Sequence, residues 1–172
     1  MNIPVLISEK DIQEKIKKLA LQISNDYKDR ELLVIGVLKG SWIFMADLVR
    51  KLEKIGIRCD FIKASSYGAK KVSLGKVKLT GINTKSIDEK NILLVEDIID
   101  TGITLKAIKE HLEKFNPHSV KICVFLNKPS CRMVEVEVDY VGFTIPDKFV
   151  VGYGLDHAEK FRNLPYVGFI EE

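Results

Sequence analysis

The stretch Ile92 to Ile108 (ILLVEDIIDTGITLKAI) sets the terms for the rest of the chain. Its first four residues, Ile92, Leu93, Leu94 and Val95, are large and apolar without a polar break, the pattern of a strand covered on both faces in a parallel sheet. Glu96 and Asp97 follow at once, Asp100 lies in the next turn, and Leu105, Ile108, Leu112 and Phe115 then recur at helical spacing. A strand that ends in acids and reverses into a helix belongs in an α/β sheet with helices packed on it.

The flanking segments repeat the plan. Ser8 is a good N-cap for a first helix with Ile12, Ile16, Leu19, Ala20 and Ile23 on one face. After Glu31, LLVIGVL reads as a buried strand, ending in Leu38, Lys39, Gly40 and Ser41 before a helix with Met45, Leu48, Val49 and Leu52 in register. Arg58 to Tyr67 reads as a strand, and residues 68–81 (GAKKVSLGKVKLTG) as a mobile loop rich in glycine and lysine. Ser119 to Leu126 is another buried strand, leading to Asn127, Lys128 and Pro129. The expected architecture is one domain, residues 1–172, on a doubly wound, mostly parallel sheet flanked by helices.

The acidic turn divides its chemistry in two. Backbone N–H groups at a helix start, with the hydroxyls of Thr101 and Thr104 around Gly102 and Ile103, form a cradle for a phosphate monoester. Carboxylates repel such a ligand, so Glu96 and Asp97 fit beside it only if they bind neutral hydroxyls or a bridging divalent cation. A ligand with a terminal phosphate, a sugar diol and a magnesium-bound second anion meets both demands, which describes 5-phosphoribosyl 1-pyrophosphate. In a doubly wound sheet the Lys39-Gly40-Ser41 loop faces the same crevice, where its backbone N–H groups suit pyrophosphate. Each of these loops, taken alone, is also an ordinary solvated turn.

Composition narrows the alternatives. With 172 residues and 46% hydrophobic content, one soluble domain with a sizeable core is expected. Lys+Arg of 27 against Asp+Glu of 24 leaves +3, too little to argue for nucleic acid. No apolar run reaches membrane-spanning length and no secretory pattern opens the chain, so a cytoplasmic protein is expected. Cys59, Cys123 and Cys131 lack C-x-x-C spacing, and His111, His118 and His157 lack metal-ligand spacing, so neither disulfides nor zinc is indicated.

The segment VEDIIDTGITL resembles the phosphoribosyl-pyrophosphate loop of the type I phosphoribosyltransferases, and an aspartate at Asp100 is similar to the branch that uses 6-oxopurines. LKGS resembles that family's small pyrophosphate loop, where the peptide after the lysine is often cis. DKFVVGYGLD and FRNLPY closely resemble the purine-binding region of the hypoxanthine phosphoribosyltransferases. The resemblance runs from about Val34 to Ile170. It implies the type I fold, with a small hood made by the N- and C-terminal segments and a flexible lid that includes Ser66, Tyr67, Lys70 and Lys71. It further implies that Asp100 exchanges the purine N7 proton and that Lys128 donates to the base's 6-oxygen. Phe149 would stack on the purine, Val150 would meet the base with its backbone, Arg162 would meet pyrophosphate, and Asp156 would hold through water a magnesium that Glu96 and Asp97 also serve. The implied reaction is purine salvage, transferring phosphoribosyl to hypoxanthine, with guanine expected beside it, in a homodimer or homotetramer. Two alternatives stay open: a xanthine-preferring enzyme, and a regulatory relative that binds RNA or nucleotide without catalysis.

Overall fold

A computed structural model describes residues 3–66 and 77–171. The elements run β1 (Val5–Ile7), α1 (Glu9–Asp26), β2 (Glu31–Leu38), α2 (Trp42–Val49), β3 (Gly56–Ser66), β4 (Val77–Thr80), β5 (Asn91–Ile99), α3 (Ile103–Glu113), β6 (Ser119–Asn127), β7 (Tyr140–Thr144), β8 (Phe149–Val151) and β9 (Val167–Ile170). The main sheet has the order β4-β3-β2-β5-β6-β7, parallel except for β4, which runs antiparallel to β3 at one edge.

The unbroken apolar runs explain themselves in the packing. Successive residues of a strand point to opposite faces, and the core divides accordingly. Leu93 and Val95 pack with Leu32, Val34 and Phe125 against α1 and α2. Ile92 and Leu94 pack with Leu33, Ile35 and Ile122 against Leu105, Ile108 and Leu112 of α3. As expected from Ser8, its hydroxyl accepts the Asp11 N–H at 3.2 Å and caps α1. The expected hood is a three-stranded antiparallel sheet, β1-β9-β8, which joins the two ends of the chain.

Three boundaries differ from expectation. β5 continues through the acids to Ile99, because β6 runs alongside it to Asn127 and keeps pairing Glu96 with Val124 and Ile99 with Asn127. Within the expected loop 68–81, Val77–Thr80 is a strand on β3, with Leu79 packed on the core. α2 stops at Val49, and Leu52 reaches the core from a tightened turn in which its N–H bonds the Val49 carbonyl at 3.3 Å.

Candidate active site

Strand order reverses between β2 and β5: from β2 the sheet grows outward to β3, and from β5 the other way to β6. At such a switch point the loops leaving adjacent strands diverge and leave a crevice. Here the crevice is a cavity of about 330 Å³ lined by Lys39 and Gly40 after β2, Glu96 to Gly102 and Thr104 from the end of β5 into α3, and Asp156 and Arg162 from the C-terminal segment.

The loop after β2 comes very close to the acids. A Cβ on Gly40 would collide with the Asp97 carboxylate, and a Cβ on Gly154 would collide with the Gly40 carbonyl, so glycine at both positions lets the two loops meet. Ser41, fully buried, donates its hydroxyl to the Val37 carbonyl at 2.6 Å and closes the loop. The cis peptide lies between Leu38 and Lys39, before the lysine rather than after it as the resemblance implied.

Glu96 is buried, and Asp97 is half-buried beside it. Burial, then the Asp97 charge, then a hydrogen bond with that side chain push the Glu96 carboxyl well above the usual carboxylate range. Asp97 accepts the Ile98 N–H at 2.9 Å. Among the described residues no group of three or more metal-ligating side chains gathers. Asp156 is held by its own segment: one oxygen lies 2.7 Å from Arg162 Nη2 and the other accepts the Glu159 N–H at 2.8 Å.

Asp100 ends the strand with an exposed side chain, and its backbone is anchored. Its carbonyl accepts Arg132 Nε at 3.0 Å, while Arg132 Nη2 donates to Asn127 at 2.7 Å. The Thr101 carbonyl receives the N–H groups of Met133 and Val134 at 3.0 and 3.1 Å. Gly102 then turns the chain at φ 84°, a left-handed conformation that glycine adopts without penalty, and the Ile103 N–H that opens α3 reaches Thr101 Oγ1 at 3.4 Å. The start of α3, the positive end of its dipole, borders the cavity that Thr101, Gly102 and Thr104 line.

A second cavity, of about 540 Å³, opens beside Lys128, Asp147, Phe149 and Phe169. Phe149 is half exposed, with His157 edge-on at 5.3 Å. Val150 turns its side chain inward on β8, an edge strand of the hood, which leaves one side of its main chain without a strand partner among the described residues. The Lys128 side chain is buried, and its Nζ lies 2.8 Å from Asp147. Burial works against its charge, but the Asp147 hydrogen bond and the negative charges of Asp100 and Asp147 outweigh it, so its pKa is raised and the ammonium persists.

Residues 8–158 match the family model of the phosphoribosyl transferase domain. The chain belongs to the phosphoribosyltransferase family. It is 46% identical over 167 residues to a hypoxanthine-guanine phosphoribosyltransferase of Bacillus subtilis, covering 97% of this chain and 92% of that one. A hypoxanthine phosphoribosyltransferase of Buchnera aphidicola is 45% identical, over 96% and 94% of the two chains. The crystal structure of a hypoxanthine-guanine phosphoribosyltransferase from Bacillus anthracis superposes with a TM-score of 0.91 at 48% identity, over 99% of this chain and all of that one.

In this phosphoribosyltransferase the acids, the α3 cradle, Lys39, Gly40, Asp156 and Arg162 share one cavity, and Lys128 and Phe149 share the other. Tyr67, Lys70, Lys71 and the Ser66 side chain lie outside the described residues. Four contributors escaped the sequence reading: Asp147 on Lys128, Arg132 on Asp100, Glu159 on Lys39, and the Asp47 to Tyr153 hydrogen bond of 2.5 Å beneath the loop at Gly154. Only Asp147 had a local signal, in the PDKF motif; the others depend on partners at least thirty residues away.

Proposed function

We propose that the chain, acting as one domain, transfers the 5-phosphoribosyl group of phosphoribosyl pyrophosphate to hypoxanthine, and to guanine, releasing pyrophosphate. The observation that carries the reading is the pairing of two unlike cavities. One has a phosphate cradle and acids; the other has a flat aromatic and a persistent buried ammonium. The named relatives support the same choice.

In this reading the N–H groups at the start of α3, with Thr101, Gly102, Ile103 and Thr104, hold the 5′-phosphate. Glu96 and Asp97 take the ribose hydroxyls, and Lys39, Gly40 and Arg162 take the pyrophosphate. Phe149 stacks on the base, the Val150 main chain meets its edge, and the Lys128 ammonium donates to the 6-oxygen. Adenine presents an amino donor there, so a donor would face a donor. Asp100 removes the N7 proton as the ribosyl carbon is attacked, and returns it in the reverse direction.

The acids fit magnesium. Carboxylate oxygens are its preferred ligands, and the Glu96 and Asp97 charges oppose each other in a way a divalent cation would relieve. Glu96 and Asp97 would hold it near the diol and Asp156 through water; magnesium commonly keeps waters and substrate phosphates and so does not need a protein cage. When bound it supplies charge neutralisation to the departing pyrophosphate. We infer a cytoplasmic homodimer or homotetramer that acts on these small molecules rather than on nucleic acid or membrane. No helix among the described residues is long and apolar enough to cross a membrane.

The test offers hypoxanthine, guanine, xanthine, adenine and uracil separately with phosphoribosyl pyrophosphate and magnesium. Nucleotide should form from hypoxanthine or guanine and not from adenine. Product chiefly from xanthine would overturn the base assignment, and no product from any base, with nucleotide still bound, would overturn the enzymatic reading.

A further inference from the structure

We propose that Glu159 is a built-in counter-anion for pyrophosphate, its carboxylate holding the cations of Lys39 and Arg162 until the ligand displaces it. The inference rests on the reading above, in which those two cations receive pyrophosphate. Lys39 Nζ lies 3.1 Å from each carboxylate oxygen of Glu159, and Arg162 Nη2 lies 3.5 Å from Oε2. One carboxylate thus bridges a cation from the loop after β2 and another from the C-terminal segment, as a phosphate group between them would. Both cations line the crevice cavity.

The backbone is shaped to present this acid. The His157 and Lys160 backbones exchange hydrogen bonds of 3.1 and 3.0 Å, closing a two-residue turn with Ala158 and Glu159 at its tip. Both tip residues have positive φ, 50° and 63°, as the tightest hairpin turns require. Asp156 accepts the Glu159 N–H and steadies the turn.

Mobility separates the partners. The Glu159 side chain is 66% exposed and can swing into solvent without opening the core. Arg162 is far less exposed, and it is held by the Gly154 carbonyl and Asp156, both at 2.7 Å. Pyrophosphate therefore arrives at an Arg162 already in place and must displace one flexible acid from it and from Lys39, whose own side chain is 58% exposed. The acid keeps the two cations from repelling each other in the empty site, and it weakens the hold on pyrophosphate, which favours release. Exposed ion pairs are individually weak, so two together set a modest competition of about three- to tenfold in affinity.

The test is calorimetric titration of inorganic pyrophosphate with magnesium chloride into the parent, Glu159→Gln, Lys39→Met and the double variant, each checked by thermal melting. Glu159→Gln should bind pyrophosphate about three- to tenfold tighter, Lys39→Met should bind it more weakly, and the gain from Glu159→Gln should shrink in the Lys39→Met background. If Lys39→Met weakens binding while Glu159→Gln leaves it unchanged or weaker, the role of Glu159 is wrong and the cation assignment stands. A gain equally large in both backgrounds also overturns it, as an effect of net charge alone. If Lys39→Met leaves affinity unchanged, the cation assignment itself fails and the proposal goes with it.

Discussion

Asp100 combines an exposed carboxylate with a main chain fixed by Arg132, so its side chain can follow a proton while its origin stays in place. Replacing it with Asn removes the base and keeps the shape. Turnover should fall by about 10²- to 10⁴-fold, roughly 3 to 5 kcal/mol of barrier, with nucleotide still bound. Steady-state rates with parallel nucleotide titration check this, and unchanged turnover would remove Asp100 from its role. Lys128 acts on selectivity instead. Hydrogen bonds to charged groups contribute about 1.5 to 3 kcal/mol, so Lys128→Ala should lose roughly ten- to a hundredfold of the preference for hypoxanthine over adenine; competition between the two bases measures it, and an unaltered ratio would contradict the role. The residue types of the site were legible because acids, a Thr-Gly pair and a strand-end lysine have few reasons to follow buried strands. Their partners were not: Asp147 sits 19 positions after Lys128, and that pairing exists only once β7 has been crossed.

Between elements, the hydrogen bond from Tyr153 to Asp47 fastens α2 to the bend at residues 152–154, all three of which have positive φ. Burial would raise the Asp47 carboxyl, but hydrogen bonds from Tyr153, Arg50 and Gln13 and the Arg50 charge overcome it and hold the group below the usual range. A carboxylate whose folded pKa is depressed contributes stability above its unfolded pKa, and that contribution disappears as pH falls through the folded value. Tyr153→Phe should therefore cost about 1.5 to 3 kcal/mol near neutrality and less at pH 3. Urea unfolding at the two pH values reads the difference, and an equal loss at both would exclude this linkage. Strand and helix identities were legible from period and capping, because Ser8, the apolar runs and the α3 face each meet a local rule. The end of β5 was not. Acids are poor strand formers, and it is β6, lying beside Glu96 to Ile99, that keeps them in the ladder.

For the molecule as a whole, Phe125 is the side chain where the layers meet. It is fully buried, with Phe44 of α2 at 5.2 Å, Phe143 of β7 at 5.8 Å and Tyr153 at 5.0 Å. Phe125→Ala should destabilise by about 3 to 5 kcal/mol, lowering the melting temperature by roughly 10 °C at 2 to 4 °C per kcal/mol. A shift of a degree or two in calorimetry would show that the layers close over the gap. The doubly wound sheet was readable from its hydrophobic runs, whereas the hood was implied by resemblance alone, since three- and four-residue strands carry no period of their own. That hood also imposes an order of manufacture. β1 leaves the ribosome early, yet its partner β9 is made more than 150 residues later, on the order of ten to thirty seconds at about 5–20 residues per second. In the later part of that interval, after α3 and before β9, a nascent chain can own its phosphate loop and still lack the floor on which a base would rest. Premature termination after β7 and before Val167 should then yield protein that grips a sugar phosphate yet has nothing to join it to.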